Sequence, residues 1–196
     1  ARSFLGRPAP LARGETRRFL HDLSQHPWLA DHRLGDAILV PGSVALEAAL
    51  AAGEQVLGGP VALHDVRFES PFFPGAPPWN LELSVTGSAD GLGFLASGPS
   101  GPVARGRITL AAPTVPPAPA VTCPHPLPAA RFYADLQARG LAYGPAFQGV
   151  RALALGEDVV EAELTAPDEI SSDLASALAH PAMPTTIRTL PIHAVR

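Results

Sequence analysis

The two-residue period is plainest at Leu81-Glu82-Leu83-Ser84-Val85-Thr86, where apolar and polar side chains alternate. Successive side chains of a strand point to opposite faces, so this pattern predicts a half-buried strand. Residues 61–68, 92–96 and 103–110 read as further strands, each bounded by Gly and Pro turns. Residues 44–52 read differently: Val-Ala-Leu-Glu-Ala-Ala-Leu-Ala-Ala is apolar throughout except for Glu47. A helix with so little polar face is a buried one, and its small side chains let it lie close against a sheet. Gly42 or Ser43 serves as its N-cap and Gly53 as its stop. One buried helix followed by antiparallel strands predicts an α+β fold with the sheet wrapped round the helix.

The periodicity breaks at residues 113–128, which read PTVPPAPAVTCPHPLP. Proline fixes φ and removes amide donors, so the stretch can be neither a helix nor a central strand. It is expected to link a first half, 1–112, to a second, 129–196. The second half opens with a short helix from Ala129 that ends at Gly140, followed by the tract Tyr143-Gly144-Pro145-Ala146-Phe147-Gln148-Gly149. Residues 150–155 and 159–165 form a hairpin pattern around Gly156-Glu157-Asp158, and 187–195 is a further strand candidate.

Composition narrows the function classes. The chain has 196 residues, a net charge of −4 and 14 basic residues, all Arg. An acidic balance argues against a nucleic-acid surface. The single Cys123 excludes an internal disulfide. No apolar run is long enough to span a bilayer, so a cytoplasmic protein without a membrane partner is expected.

The candidate chemistry concentrates between His26 and Gly42, in HPWLADHRLGDAILVPG. Two histidines precede a short apolar strand that runs into Pro41-Gly42 at the start of the buried helix. A helix N-terminus offers free amides and the positive end of its dipole, which stabilise a developing oxyanion. A nearby imidazole is a natural base for an α-proton at neutral pH. The residues alone equally allow His26 and His32 to satisfy backbone groups in a turn. Asp31 reads as a turn residue, His64, His125 and His193 as surface or strand residues, and Trp28, Trp79, Phe72 and Phe73 as core or interface. Asp65, Glu69, Asp168 and Asp173 have no context that assigns one of them as an acid.

The string strongly resembles the N-terminal signature of dehydratase domains of modular type I polyketide synthases, HxxxGxxxxP, whose first histidine is the catalytic base. The resemblance places His32 at the base and Pro41 at the proline, with Asp36 where the family has glycine and Gly35 just before it. Residues 140–149, GLAYGPAFQG, are similar to the family's GYxYGPxFQG tract, with Leu141 for the first tyrosine. Ser3-Phe4-Leu5-Gly6 and Phe132-Tyr133 also fall where the family has similar residues. The resemblance implies a double hotdog: two halves, each a sheet wrapped round a central helix. It further implies dehydration of a β-hydroxyacyl thioester carried on the phosphopantetheine of an acyl carrier protein, with no cofactor required. Pro41, Gly42, Tyr143, Pro145 and Phe147 become substrate-binding candidates. The acyl carrier protein, neighbouring synthase domains and a second copy in a homodimer become the expected partners.

A third motif departs from the pattern. His180-Pro181-Ala182 resembles the opening of the second half's helix, but the aspartate position of DxxxQ or DxxxH falls on Thr185. The simplest description is a helix missing between Ala182 and Met183, with further strand missing after Arg196. Residues joined across a gap, a shortened domain and a decayed domain all stay open. The first is preferred, because a hotdog half without its helix leaves an apolar sheet face uncovered. Without the acid, His32 alone could shift a double bond or serve a cyclase, or the domain could be purely architectural.

Overall fold

The computed structural model describes residues 16–88, 91–111, 122–157, 159–174, 177–178 and 181–182. The segments at 3–6 and 187–195, the expected break after Ala182, and His180 lie outside them.

In the first half, β1 (Thr16–Asp22), β4 (Val61–Phe68), β5 (Asn80–Ser88), β6 (Gly91–Gly98) and β7 (Gly101–Leu110) form one antiparallel sheet in the order β1-β5-β6-β7-β4. Leu81, Leu83 and Val85 are all buried, as the alternation in β5 requires. They join Phe19, Phe94, Ala104 and Ile108 in a core that includes Val44, Ala45, Ala48, Ala49 and Ala52. Those last five lie on α1 (Gly42–Leu57), which packs against β4, β5, β6 and β7. The hotdog arrangement expected for this half is the one observed.

Two details of α1 differ from the expectation. The helix does not stop at Gly53 but continues to Leu57, with Gly58 as C-cap at φ 76°. Gly53 is instead a close-packing position, since a Cβ there would lie 2.6 Å from Ile108 Cγ2. The N-cap is Pro41, neither Gly42 nor Ser43, and it caps without a side-chain hydrogen bond. Ser43 Oγ is thereby free to donate to the Pro181 carbonyl at 2.9 Å.

In the second half, β8 (His125–Pro128), α2 (Ala129–Ala138), β9 (Leu141–Tyr143), β10 (Val150–Leu155) and β11 (Val160–Leu164) follow in order. The sheet order is β11-β10-β8. The proline-rich stretch therefore ends inside the fold, because residues 125–128 pair with β10 rather than linking to it. Their position at the sheet edge reconciles Pro126 and Pro128 with a strand, since an edge strand can leave amide positions unpaired. No described residue of β8, β10 or β11 is buried, whereas the first sheet is heavily buried.

A third small sheet joins the halves. β2 (His32–Leu34) pairs with β3 (Ala37–Ile38) on one side and with β9 on the other. The β2–β3 turn explains the Asp36 departure. Gly35 takes φ 58°, and Asp36 is not among the residues with positive φ. The first of the two turn residues carries the glycine requirement, so Asp36 costs no backbone strain.

Candidate functional site

His32 stands at the start of β2, directly opposite Tyr143 of β9 in the strand register. Its Nδ1 lies 2.6 Å from the Leu39 carbonyl oxygen. A carbonyl can only accept, so Nδ1 carries the proton and Nε2 is left as the basic nitrogen. The Leu39 amide in turn donates to the His32 carbonyl at 2.9 Å, which fixes the backbone around the ring. Burial lowers the His32 pKa below its ordinary 6.5, against a smaller opposing effect of the Leu39 carbonyl. The imidazole is therefore held neutral near pH 7.

The segments that follow β3 and β4 supply most of the walls around this imidazole. A cleft of about 480 Å³ is lined by His32, the 39–43 segment, the 68–72 segment and Val103. Pro41 and Gly42 share it with His32. The first amides of α1 have no acceptor within the helix and stand at the positive end of its dipole. A Cβ at Gly42 would come 2.6 Å from Cε1 of the exposed Phe68 ring, so that ring would have to move aside. Glu69 also lines the cleft and is ion-paired with Arg105.

The second-half tract reaches His32 through its rings. Tyr143 stacks on His32 with centroids 5.0 Å apart, and Phe147 meets the same imidazole at 5.1 Å. Pro145 opens the short 3-10 turn at 145–147 and is itself exposed. Tyr143 also lines a neighbouring cleft with Asp31, Arg33, Tyr133 and Gln148.

Asp31 is a turn residue with a larger task than its spacing suggested. Its carboxylate accepts the Ala146 amide at 3.0 Å, and its carbonyl accepts the Gly144 amide at 2.8 Å. It thus clamps the GPAF turn beside His32. Gly144 is what permits this approach, because a Cβ would sit 2.5 Å from the Asp31 carboxyl carbon.

Other candidates separate from the site. His26 faces Asp173, with Nδ1 3.8 Å from Oδ2, and burial lowers its pKa against the opposing pull of that carboxylate. His64 of β4 bonds Thr109 of β7, and His125 is exposed on β8. Asp65 pairs with Arg107. Trp28 and Phe72 are buried, whereas Phe73 is exposed.

Sequence reasoning missed Glu47. Its side chain is buried within α1, and it accepts the Leu178 amide at 2.9 Å. Being the lone charge in the apolar run 44–52 was the available signal, since a buried carboxylate needs partners. Among the described residues, no group of three His, Cys, Asp or Glu is placed to hold a metal ion. No described helix is long and apolar enough to cross a membrane.

Comparison with known proteins places this geometry. Residues 3–94 match the family model described as polyketide synthase dehydratase domain, and residues 111–186 match that described as polyketide synthase dehydratase N-terminal domain. The spectinabilin polyketide synthase system protein NorA′ of Streptomyces orinoci is 33% identical over 181 residues, which is 82% of this chain and 5% of that protein. NorA of the same organism is 34% identical over 200 residues, covering 91% of this chain and 10% of that protein. The chain thus spans a small fraction of the relatives it matches.

Among solved structures, the dehydratase domain from the CurF module of curacin polyketide synthase superposes with a TM-score of 0.82 at 23% identity. That match covers 93% of this chain and 72% of that domain. The dehydratase domain of PpsC from Mycobacterium tuberculosis, solved with C12:1-CoA, gives a TM-score of 0.79 at 23% identity over 93% of this chain and 70% of that domain.

Proposed function

Since the chain belongs to the polyketide synthase dehydratase domain family, we propose that it removes water from a β-hydroxyacyl thioester to give the α,β-unsaturated thioester. The observation that carries the reading is the Nδ1 contact of His32 with the Leu39 carbonyl at 2.6 Å, which leaves Nε2 unprotonated on a side chain lining the cleft. Nε2 takes the α-proton. The thioester oxygen gains charge as the enolate forms, and the Gly42 amide at the start of α1 stabilises it. The β-hydroxyl then leaves as water with a proton from a carboxylic acid of the second half. In the family that acid follows the His-Pro pair matched here by His180-Pro181, at a position that falls on Thr185 in this sequence. General acid–base help of this kind contributes about 10²–10⁴ in rate.

Proton transfer is the whole of the proposed chemistry, so it calls for no cofactor beyond the phosphopantetheine that carries the acyl chain on an acyl carrier protein. Pro41, Gly42, Tyr143, Pro145 and Phe147 position the substrate or the base. The Pro-rich stretch joins two hotdog halves of one domain, and neighbouring domains of a cytoplasmic synthase and a second copy of the domain are its partners.

The test is mass spectrometry of a 3-hydroxyacyl carrier-protein or pantetheine thioester incubated with the protein. Loss of one water, abolished in His32→Ala, is expected. Water loss that persists in His32→Ala overturns the assignment of the base, and intact substrate with the unaltered protein overturns the reaction.

A further inference from the structure

Asp173 lies far from the base in sequence, on α3 (Ser171–Leu174) of the second half. Its Oδ2 accepts the indole N–H of Trp28 at 2.9 Å, across a sequence separation of 145 residues. Trp28 is buried, and a buried indole N–H needs an acceptor. From Trp28 the contacts continue without a gap. Its ring meets Phe147 at 6.0 Å between centroids, and Phe147 meets His32 at 5.1 Å. Tyr143 closes the group, 5.0 Å from His32 and 6.0 Å from Phe147. Phe147 is therefore held between an indole pinned by Asp173 and the imidazole pinned by Leu39.

We propose that Asp173 is a positioning residue for His32, acting from the second half through the Trp28–Phe147 ring contacts. The inference rests on the reading of His32 as the base of the dehydration. Among the described residues, the Trp28 indole and His26 face Asp173, and His26 has His21 and Asp22 as charged or titratable neighbours. The described contacts of Asp173 run to Trp28 and His26, and it is the Trp28 contact that leads through the rings to His32. Loss of the acceptor removes the 2.9 Å hydrogen bond that pins the indole, and the ring is freed to shift. Phe147 then loses one of its walls, and the His32 ring its dry neighbour.

The test compares Asp173→Ala, Asp173→Asn and Trp28→Phe, with the His32 imidazole followed by NMR titration and the reaction by thioester turnover. In Asp173→Ala, kcat is expected to fall about tenfold with KM unchanged, and the His32 midpoint to rise toward its ordinary value. Asp173→Asn keeps an oxygen acceptor for Trp28 and restores both. Trp28→Phe reproduces the Asp173→Ala effect, and the double variant is no worse than either single one.

A His32 midpoint unmoved in Trp28→Phe, or in folded Asp173→Ala, overturns the inference, as does an Asp173→Asn variant as impaired as the alanine. The titration needs no turnover. An unaltered protein that does not dehydrate, yet whose His32 midpoint moves in these variants, overturns the reaction and leaves the positioning role standing.

Discussion

Substitution of Gly144 by alanine probes the clamp that holds the GPAF turn beside His32. The backbone there, at φ −76° and ψ −179°, suits any residue, so the effect is purely steric. The new Cβ would lie 2.5 Å from Asp31 Cγ and 2.6 and 2.8 Å from its two oxygens. To reach ordinary contact the carboxylate must retreat by most of an ångström. The 3.0 Å bond it accepts from the Ala146 amide then lengthens past useful range. Ala146 is fully buried, so its amide finds no water in exchange. Loss of a hydrogen bond to a charged acceptor costs about 1.5–3 kcal/mol, and that is the expected destabilisation.

Urea unfolding of Gly144→Ala, Asp31→Ala and the double variant measures it. Both single changes break the same bond, so in the Asp31→Ala background Gly144→Ala should cost less than about 0.5 kcal/mol. Additive penalties, or a Gly144→Ala protein as stable as the parent, would refute the clamp.

Three further outcomes follow from burial. His21 is buried, and burial together with nearby His26 lowers its pKa to about 4. Above pH 6.5 both folded and unfolded chains keep it neutral. As pH falls from 6.5 to about 4 only the unfolded chain takes the proton, so stability is lost with an upper scale of about 3 kcal/mol. His21→Gln should flatten that acid slope in urea titrations at several pH values, and an unchanged slope contradicts the assignment. Gly53→Ala gains about 1 kcal/mol of helix propensity but drives a methyl to 2.6 Å from Ile108 Cγ2. Overpacking costs about 1–3 kcal/mol, so a lowered Tm is expected and a raised one refutes the tight contact. With His32 as the base, kcat/KM should fall as pH drops through a midpoint below 6.5, because burial depresses its pKa. A midpoint above 6.5 contradicts the burial argument.

Local pattern alone determined much of the first half. The alternation through Leu81–Val85 and the apolar run beginning at Val44 are short-range signals, since strand and helix periods repeat within a few residues. Both became the elements they announced. The His32, Pro41 and Gly42 grouping was legible for the same reason: a strand, a turn and a helix start follow one another directly. Tertiary structure decided what depends on distant partners. Gly53 looked like a stop because glycine disfavours helices, but packing on Ile108 carried α1 to Leu57. Pro126 and Pro128 looked like linker until β10 gave them an edge to occupy.

The contacts between the two halves were the least legible. Tyr143 opposite His32, Ala146 on Asp31, Leu178 on Glu47 and Trp28 on Asp173 each join residues more than a hundred positions apart. Such pairs leave no period in the sequence. They form only when two halves, each folded by its own pattern, bring buried polar groups within hydrogen-bonding reach of one another.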